Sequence, residues 1–119
     1  MTFEITEPIL VIGLGRVGAE LAEKAKKSLN SDSLLISHDQ KDLTDENSIK
    51  ISTKSVVNPS IHLIRGSTLE NLEEIQGKIS KYSTIILMSN LAGKAGIGIA
   101  PIVSKICKEQ EKNLLSFAI

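Results

Sequence analysis

Short apolar runs alternate with amphipathic segments along this chain, which is the pattern of a protein with a parallel β-sheet and covering helices. Five runs are predicted as strands, at residues 9–12, 34–37, 61–65, 82–88 and 114–119. The first is uninterrupted Ile-Leu-Val-Ile, and such continuous hydrophobicity is typical of strands that are buried on both faces.

Amphipathic spacing predicts helices between several of these runs. The first helix is expected at residues 19–28, the second at 69–81 behind a capping box at 67–70, and the third at 99–111. Pro101 is expected in the first turn of the third helix, where its missing N–H is harmless. Residues 40–47 are predicted as a turn or short helix, and residues 48–60 as a loop or an edge hairpin.

Alternation of strands and helices implies right-handed crossovers, and therefore a three-layer, Rossmann-like α/β fold with helices on both faces of a parallel sheet. The simplest strand order is 3-2-1-4-5. In that order the first and fourth strands are neighbours and the chain reverses its direction of winding between them. Ligands of such sheets bind in the crevice outside the carboxyl ends of those two strands.

Glycine is concentrated at that predicted crevice. Six of the eight glycines fall in two stretches, 13–18 and 92–98, each placed between a predicted strand and a predicted helix. A glycine-rich turn into a helix directs backbone N–H groups and the positive end of the helix dipole to one point, and both favour phosphate. The two stretches together predict a nucleotide site.

Composition narrows the function further. The 119 residues predict a single domain, 1–119, and the 14 basic and 14 acidic residues cancel. With only three aromatic residues and no basic stripe, a nucleic-acid partner is not expected.

No apolar run approaches the roughly 20 residues of a membrane span, and the single cysteine fits a reducing compartment. A cytoplasmic protein without a membrane partner is predicted. The two histidines lack partners at ligand spacing, so no metal site is predicted.

A run of small residues and a proline continues the second glycine-rich stretch: Gly93, Gly96, Gly98, Ala100, Pro101 and Val103. This run resembles the signature of the tubulin/FtsZ family of GTPases, GGGTGTG followed by a small pair, proline and Val-Val. The family's first glycine loop, its NTDAQxL segment and its LTRG segment are matched in order by Gly13, Gly15, Gly18, Asp39, Leu43, Leu63, Arg65 and Gly66. The resemblance covers nearly all of residues 9–119. It implies the family's N-terminal GTP-binding domain and a role in cell division or the cytoskeleton.

The departures from the family pattern concern the phosphate contacts. Lys94 and Ala95 replace a glycine and a threonine, and Ile97 replaces a second threonine. Arg16 stands in place of a glycine, and Glu20 in place of an asparagine that contacts the base. In the family, a central helix and a second domain, which this sequence does not include, complete purine recognition and hydrolysis. The resemblance therefore implies an assembly or regulatory module that binds nucleotide without self-contained GTP hydrolysis.

The predicted nucleotide site combines both glycine stretches with polar residues near the ends of the second and third predicted strands. Its residues are Gly13, Gly15, Arg16, Gly18, Glu20, Asp39, Arg65, Gly66, Gly93, Lys94, Ala95, Gly96, Ile97 and Gly98. Backbone N–H groups would hold the phosphates of GTP or GDP, and Lys94 and Arg16 would neutralise them. Asp39 would face the ribose or a Mg²⁺ ion, and Arg65 would contact phosphate or cap its own strand end.

Three other interpretations remain open. Residues 13–18 with Asp39 also resemble the NAD-binding loop of the regulatory domains of potassium transporters. Both glycine stretches could instead serve only tight turns in a ligand-free domain. Finally, the predicted last strand, 114–119, leaves an apolar sheet edge that could pair with a second copy or with an FtsZ-like partner.

Overall fold

The computed structural model describes residues 7–29, 31–44, 47–53, 59–90 and 93–118. In chain order the elements are β1 (Ile9–Leu14), α1 (Gly15–Leu29), β2 (Asp32–Ser37), a 3₁₀ turn (Gln40–Asp42), β3 (Ser48–Lys50), α2 (Ile61–Leu69), α3 (Leu72–Ser80), β4 (Thr84–Ser89), α4 (Lys94–Glu109) and β5 (Asn113–Ala118). None of the helices in these ranges is long and apolar enough to cross a membrane.

The five strands form one parallel sheet in the order β3-β2-β1-β4-β5. The predicted strand order is therefore confirmed. Central β1 pairs with β2 on one side and with β4 on the other, and Leu10, Val11 and Ile12 have no exposed surface. The carboxyl ends of β1 and β4 lie next to each other, where Gly13 is in register with Met88.

Helices cover both faces of the sheet, but unequally. Alternate side chains of the strands enter two separate clusters, as the two-residue period of a strand requires. The larger cluster packs the sheet against α2, α3 and α4 through residues such as Ile64, Ile75 and Ile99. The smaller packs it against α1 through Ala19 and Ala22. The three-layer architecture is confirmed, with α1 packing over β1, β2 and β4.

The segment predicted as the third strand, 61–65, is a helix. Ser60 begins α2, since its Oγ accepts a hydrogen bond from the Leu63 N–H at 3.1 Å. The apolar run is helical because α2 packs on α4, with Ile64 fully buried between them and the sheet. A short apolar run is compatible with either structure, and its tertiary contacts decided this one.

The third strand lies instead in the segment predicted as a loop or hairpin. Ser48–Lys50 pairs with β2 in parallel, and Ile49 and Ile51 are buried. Residues 54–58 of that segment lie outside the described residues.

The predicted second helix is also corrected. Residues 67–70 do not form a capping box, because Ser67, Thr68 and Leu69 are the last residues of α2 and Glu70 is its C-cap. The Thr68 hydroxyl donates to the Ile64 carbonyl at 2.7 Å. A separate helix, α3, begins at Leu72. Leu69, expected in the buried stripe, has 53% of its surface exposed, whereas Ile75 and Ile79 are buried as expected.

Candidate functional site

The two glycine-rich stretches meet at the carboxyl ends of β1 and β4. β1 ends at Leu14, and α1 begins with the next residue, Gly15, whose φ of +69° suits glycine. A Cβ placed on Gly15 would lie 3.0 Å from the Cβ of Ala95, in the first turn of α4. The N-termini of α1 and α4 are therefore in van der Waals contact at the crevice where the strand order predicts a ligand.

Among the described residues, neither stretch forms the open loop that the sequence suggested. Gly13 belongs to β1, and Gly15 and Gly18 belong to α1. In the second stretch, Gly93 is the N-cap of α4 and residues 94–98 belong to that helix, whereas Leu91 and Ala92 lie outside the described residues. Because α4 begins at Lys94, Pro101 lies inside the helix, and the expectation that it falls in the first turn is wrong.

Close backbone packing accounts for several of these glycines. A Cβ on Gly18 would collide with the carbonyl oxygen of Met88 in β4. A Cβ on Gly96 would collide with the carbonyl oxygen of Asn90, and one on Gly13 with that of Gly18. These glycines are therefore needed because they let the helices pack closely against the strand ends. That need holds whether or not the same turns also bind phosphate.

An open cleft of about 630 Å³ lies beside the first turns of α1 and is lined by Arg16, Glu20 and Asp39. Arg16 and Glu20 form an ion pair one helical turn apart, with Arg16 Nε 3.7 Å from Glu20 Oε1. Both side chains are mostly exposed, so the pair contributes little to stability and can rearrange around a ligand.

Asp39 stands between this cleft and a second hollow of about 390 Å³, which Lys94 also lines. Its Oδ1 accepts from the Lys41 N–H at 3.0 Å and so caps the 3₁₀ turn after β2. Its own N–H donates to Ser37 Oγ at 3.1 Å, and that hydroxyl donates to Asp42 Oδ2 at 2.7 Å. The Asp39 carboxylate is thus held at the carboxyl edge of the sheet while its side chain remains exposed.

Arg65 and Gly66 take a different place from the one expected. Both lie on α2, so Arg65 cannot cap a strand end. Arg65 Nη2 donates to the carbonyl oxygen of Ile97 at 3.3 Å. In a regular helix that carbonyl would accept from residue 101, which is proline and has no N–H. Arg65 therefore satisfies a backbone group that Pro101 leaves without its helical partner.

Gly98 belongs to the same α2–α4 interface. A Cβ on Gly98 would lie 2.9 Å from Ile64 Cγ2, so the missing side chain lets α2 pack directly on α4. At exposed Gly66, a Cβ would meet no atom of any other described element within 4 Å. Of the predicted site, Arg65 and Gly98 serve helix packing, whereas Gly15, Arg16, Glu20, Asp39, Lys94 and Ala95 surround the crevice and its two hollows.

Several cations around these hollows were not predicted from the sequence. Lys24 and Lys41 line the larger cleft, and Lys50, at the end of β3, lines the smaller hollow. No local pattern marks them, because isolated lysines occur on every solvated surface; only the position of β3 brings Lys50 to this edge.

Cys107 is buried in α4, and burial raises its pKa to about 11, so its thiol is protonated at neutral pH.

Comparison with known proteins supports the fold. No family model and no curated protein sequence matches the chain. Among solved structures, an empty FtsZ dimer from M. jannaschii superposes with a TM-score of 0.80 at 22% identity, covering 92% of this chain and 35% of that one. TubZ of Clostridium botulinum phage c-st, truncated at its C-terminal tail, gives a TM-score of 0.77 at 17% identity, covering 92% and 40%.

The chain spans less than half the length of either structure. Sequence identities of 17–22% establish a similarity of fold alone. The strand order and the two helices that begin at the β1–β4 crevice are consistent with that fold. The chain therefore has a tubulin/FtsZ-like fold, corresponding to the N-terminal domain of FtsZ.

Proposed function

We propose that the chain is a tubulin/FtsZ-like guanine-nucleotide-binding domain whose site is the crevice at the carboxyl ends of β1 and β4. The observation that carries this proposal is the contact between the first turns of α1 and α4, at Gly15 and Ala95. The first N–H groups of a helix and the positive end of its dipole favour anions, and here two helices present them side by side.

The residues around the crevice fit a nucleotide phosphate in part. Lys94 and Arg16 supply positive charge, and Asp39 supplies a carboxylate for the ribose or for Mg²⁺. Magnesium would be held mainly by phosphate oxygens and water, with few protein ligands. Hydroxyl side chains, which the family pattern places at this turn, are replaced by Ala95 and Ile97. The proposal is therefore binding without self-contained GTP hydrolysis, as an assembly or regulatory module of a tubulin-like system in the cytoplasm.

The test is thermal unfolding of the chain with Mg-GTP, Mg-GDP, Mg-ATP and NAD in turn. A ligand at about a hundred times its dissociation constant adds about 2.7 kcal/mol to the free energy of unfolding. Stabilisation by guanine nucleotides alone is the expected result. Stabilisation by NAD alone would replace the proposal with a dinucleotide site, for which Asp39 at the end of β2 is suitably placed. If none of the four ligands changes the melting temperature, the proposal is wrong and the glycines serve only the packing of a domain without a ligand.

A matched pair of lysine variants locates the site. Lys94→Ala removes the ammonium at the first turn of α4, and we expect the GTP dissociation constant to rise about tenfold. Lys81→Ala, at an exposed position after α3, should leave it unchanged. Equal affinities for the two variants would show that the Lys94 ammonium does not contact the nucleotide. Valine at Gly96 is unsuitable for this test, because it would collide with the Asn90 carbonyl whether or not nucleotide binds.

A further inference from the structure

Leu29 and Leu69 are exposed apolar residues in surroundings of opposite charge. Leu29 ends α1 with 39% of its surface exposed, and the last turn of that helix contains Lys26 and Lys27. Leu69 is the last residue of α2, and three glutamates follow it within five residues: Glu70, Glu73 and Glu74. Because α1 covers one face of the sheet and α2 the other, the two leucines lie on opposite sides of the sheet.

Leu69 borders an apolar groove between α2–α3 and α4, which we call the α3–α4 groove. Its volume is about 90 Å³, and its apolar walls are Leu69, Leu72, Ile102 and Ile106. A dry cavity of about 150 Å³ accommodates benzene, so this groove has room for one smaller aliphatic side chain. Leu72, Ile102 and Ile106 also pack against or within the larger core cluster. The shape of the groove is therefore fixed by the core and does not depend on a free sheet edge.

Negative charge surrounds one side of the α3–α4 groove. The three glutamates line a second hollow, of about 460 Å³, that adjoins the groove at Leu69 and Leu72. Residues 66–77 include no lysine or arginine, so no cation of that segment offsets them. On the α4 side, the ion pair between Lys105 and Glu109 contributes no net charge. The occupant that fits is therefore an apolar side chain with cations next to it.

The last turn of α1 has this combination. Lys26 precedes Leu29 by three residues, which places the two side chains next to each other on the helix surface. Over residues 23–29 there are three lysines and one glutamate, so this end of the helix is basic. The carboxylate of Asp32, which follows the helix, accepts a hydrogen bond from the Tyr82 hydroxyl at 2.6 Å.

We propose that the last turn of α1 in one copy of the chain docks in the α3–α4 groove of a second copy. Leu29 fills the groove, and Lys26 and Lys27 face the three glutamates. A second copy is the occupant because the chain carries both complementary surfaces, and because the sheet lies between them, so that one copy cannot fill its own groove. The contact joins two different surfaces, so it is heterologous and each copy keeps one free half.

This contact is separate from the proposed nucleotide site. α1 begins at the crevice and has 15 residues, so Leu29 lies about 20 Å from the crevice along the helix. Nucleotide binding and association are therefore measured independently. One side chain and a few exposed ion pairs form a small interface, and we expect a dissociation constant of about 100 µM that rises as salt screens the charges.

The test is sedimentation equilibrium from about 10 µM to about 1 mM in about 20 mM salt, which brackets that constant. The wild-type mass should rise from 12.9 kDa past twice that value, because heterologous contacts do not close into pairs. In about 0.5 M salt the dissociation constant should rise at least about threefold.

Two variants separate the halves of the contact. Leu29→Glu places a carboxylate at the end of α1, and Leu69→Lys places an ammonium at the groove, so each variant alone should stay monomeric. An equimolar mixture of the two should form pairs, since each variant keeps the half that the other has lost. Phe117→Lys is the matched control, because Phe117 is a similarly exposed apolar residue on β5, and it should associate as the wild type does.

A wild-type chain that stays monomeric at the highest concentration would overturn the proposal. Association of either variant alone would do the same, and a mixture that stays monomeric would exclude a heterologous contact. Association that salt leaves unchanged, or that Phe117→Lys abolishes, would also contradict it. Far-ultraviolet circular dichroism checks the fold of each variant, and if one unfolds, Leu29→Gln or Leu69→Gln replaces it at the same position.

Discussion

The hydrogen bond from Arg65 to the Ile97 carbonyl should stabilise the protein only because residue 101 is proline. Proline inside a helix leaves the carbonyl four residues earlier without its partner. Arg65 Nη2 lies 3.3 Å from that carbonyl oxygen, at the long end of hydrogen-bond distances, and the side chain is half-buried. A hydrogen bond from a charged donor is worth about 1.5–3 kcal/mol, and this distance places it at the lower end.

We therefore expect Arg65→Met to lower the free energy of unfolding by about 1–2 kcal/mol, which corresponds to about 3–8 °C in melting temperature. In a Pro101→Ala background, the N–H of the new alanine bonds the Ile97 carbonyl directly. Arg65→Met should then cost only its small difference in packing. The double-mutant cycle should give a coupling energy of about 1 kcal/mol between positions 65 and 101.

Urea unfolding followed by circular dichroism measures all four proteins, and unchanged m-values are required for the comparison. Lys81→Met in both backgrounds is the control, since it removes an exposed cation at the end of α3 and should show no coupling. If Arg65→Met costs the same in the wild-type and Pro101→Ala backgrounds, the assigned role of Arg65 is wrong.

Three further substitutions or modifications test the packing. Gly98→Ala places a Cβ 2.9 Å from a β-branched side chain of α2, so the free energy of unfolding, measured in urea, should fall by about 1–3 kcal/mol. Gly77→Ala, in open space on α3, should raise it by about 0.5–1 kcal/mol. Equal effects of the two substitutions would contradict the α2–α4 contact. Tyr82 donates to Asp32 at 2.6 Å, and burial together with that bond raises its pKa from 10.0 to about 12. The unfolded chain ionises first, so stability should fall between pH 10 and 12 more steeply in the wild type than in Tyr82→Phe, and parallel pH profiles would refute this. Cys107, buried with a pKa of about 11, should react with a thiol reagent in urea but hardly at all in native buffer at pH 7, and rapid native labelling would contradict its burial.

Local signals for α2 were present in the sequence but were outweighed by its apolar run. Pro59 and Ser60 precede the helix, and Ser60 is its N-cap. A run such as Ile-His-Leu-Ile suits a strand or a helix, because four residues are too few to separate a period of 2 from one of 3.6. The contact between Ile64 and Gly98, residues distant in the chain, favours the helix. Because residues 61–65 are helical, the third strand of the sheet is Ser48–Lys50, in the more polar segment before α2.

Phosphate binding could not be separated from packing by sequence. Both uses of a glycine depend on the same property, the absence of a Cβ, so a glycine-rich pattern does not distinguish a ligand from a neighbouring carbonyl. Only the tertiary structure shows that Gly18 lies under the Met88 carbonyl and Gly96 under that of Asn90. Arg65 illustrates the same limit, since its partner is set by Pro101 on another helix.

The sequence by itself determined the class of fold and its strand order, because alternating buried strands and amphipathic helices allow few right-handed connections. It also determined that the two glycine stretches lie at neighbouring strand ends. The tertiary structure decided which segment became the third strand, where α4 begins, and which predicted site residues face the crevice. These outcomes depend on contacts between residues far apart in the chain, and such contacts leave no periodicity in the sequence.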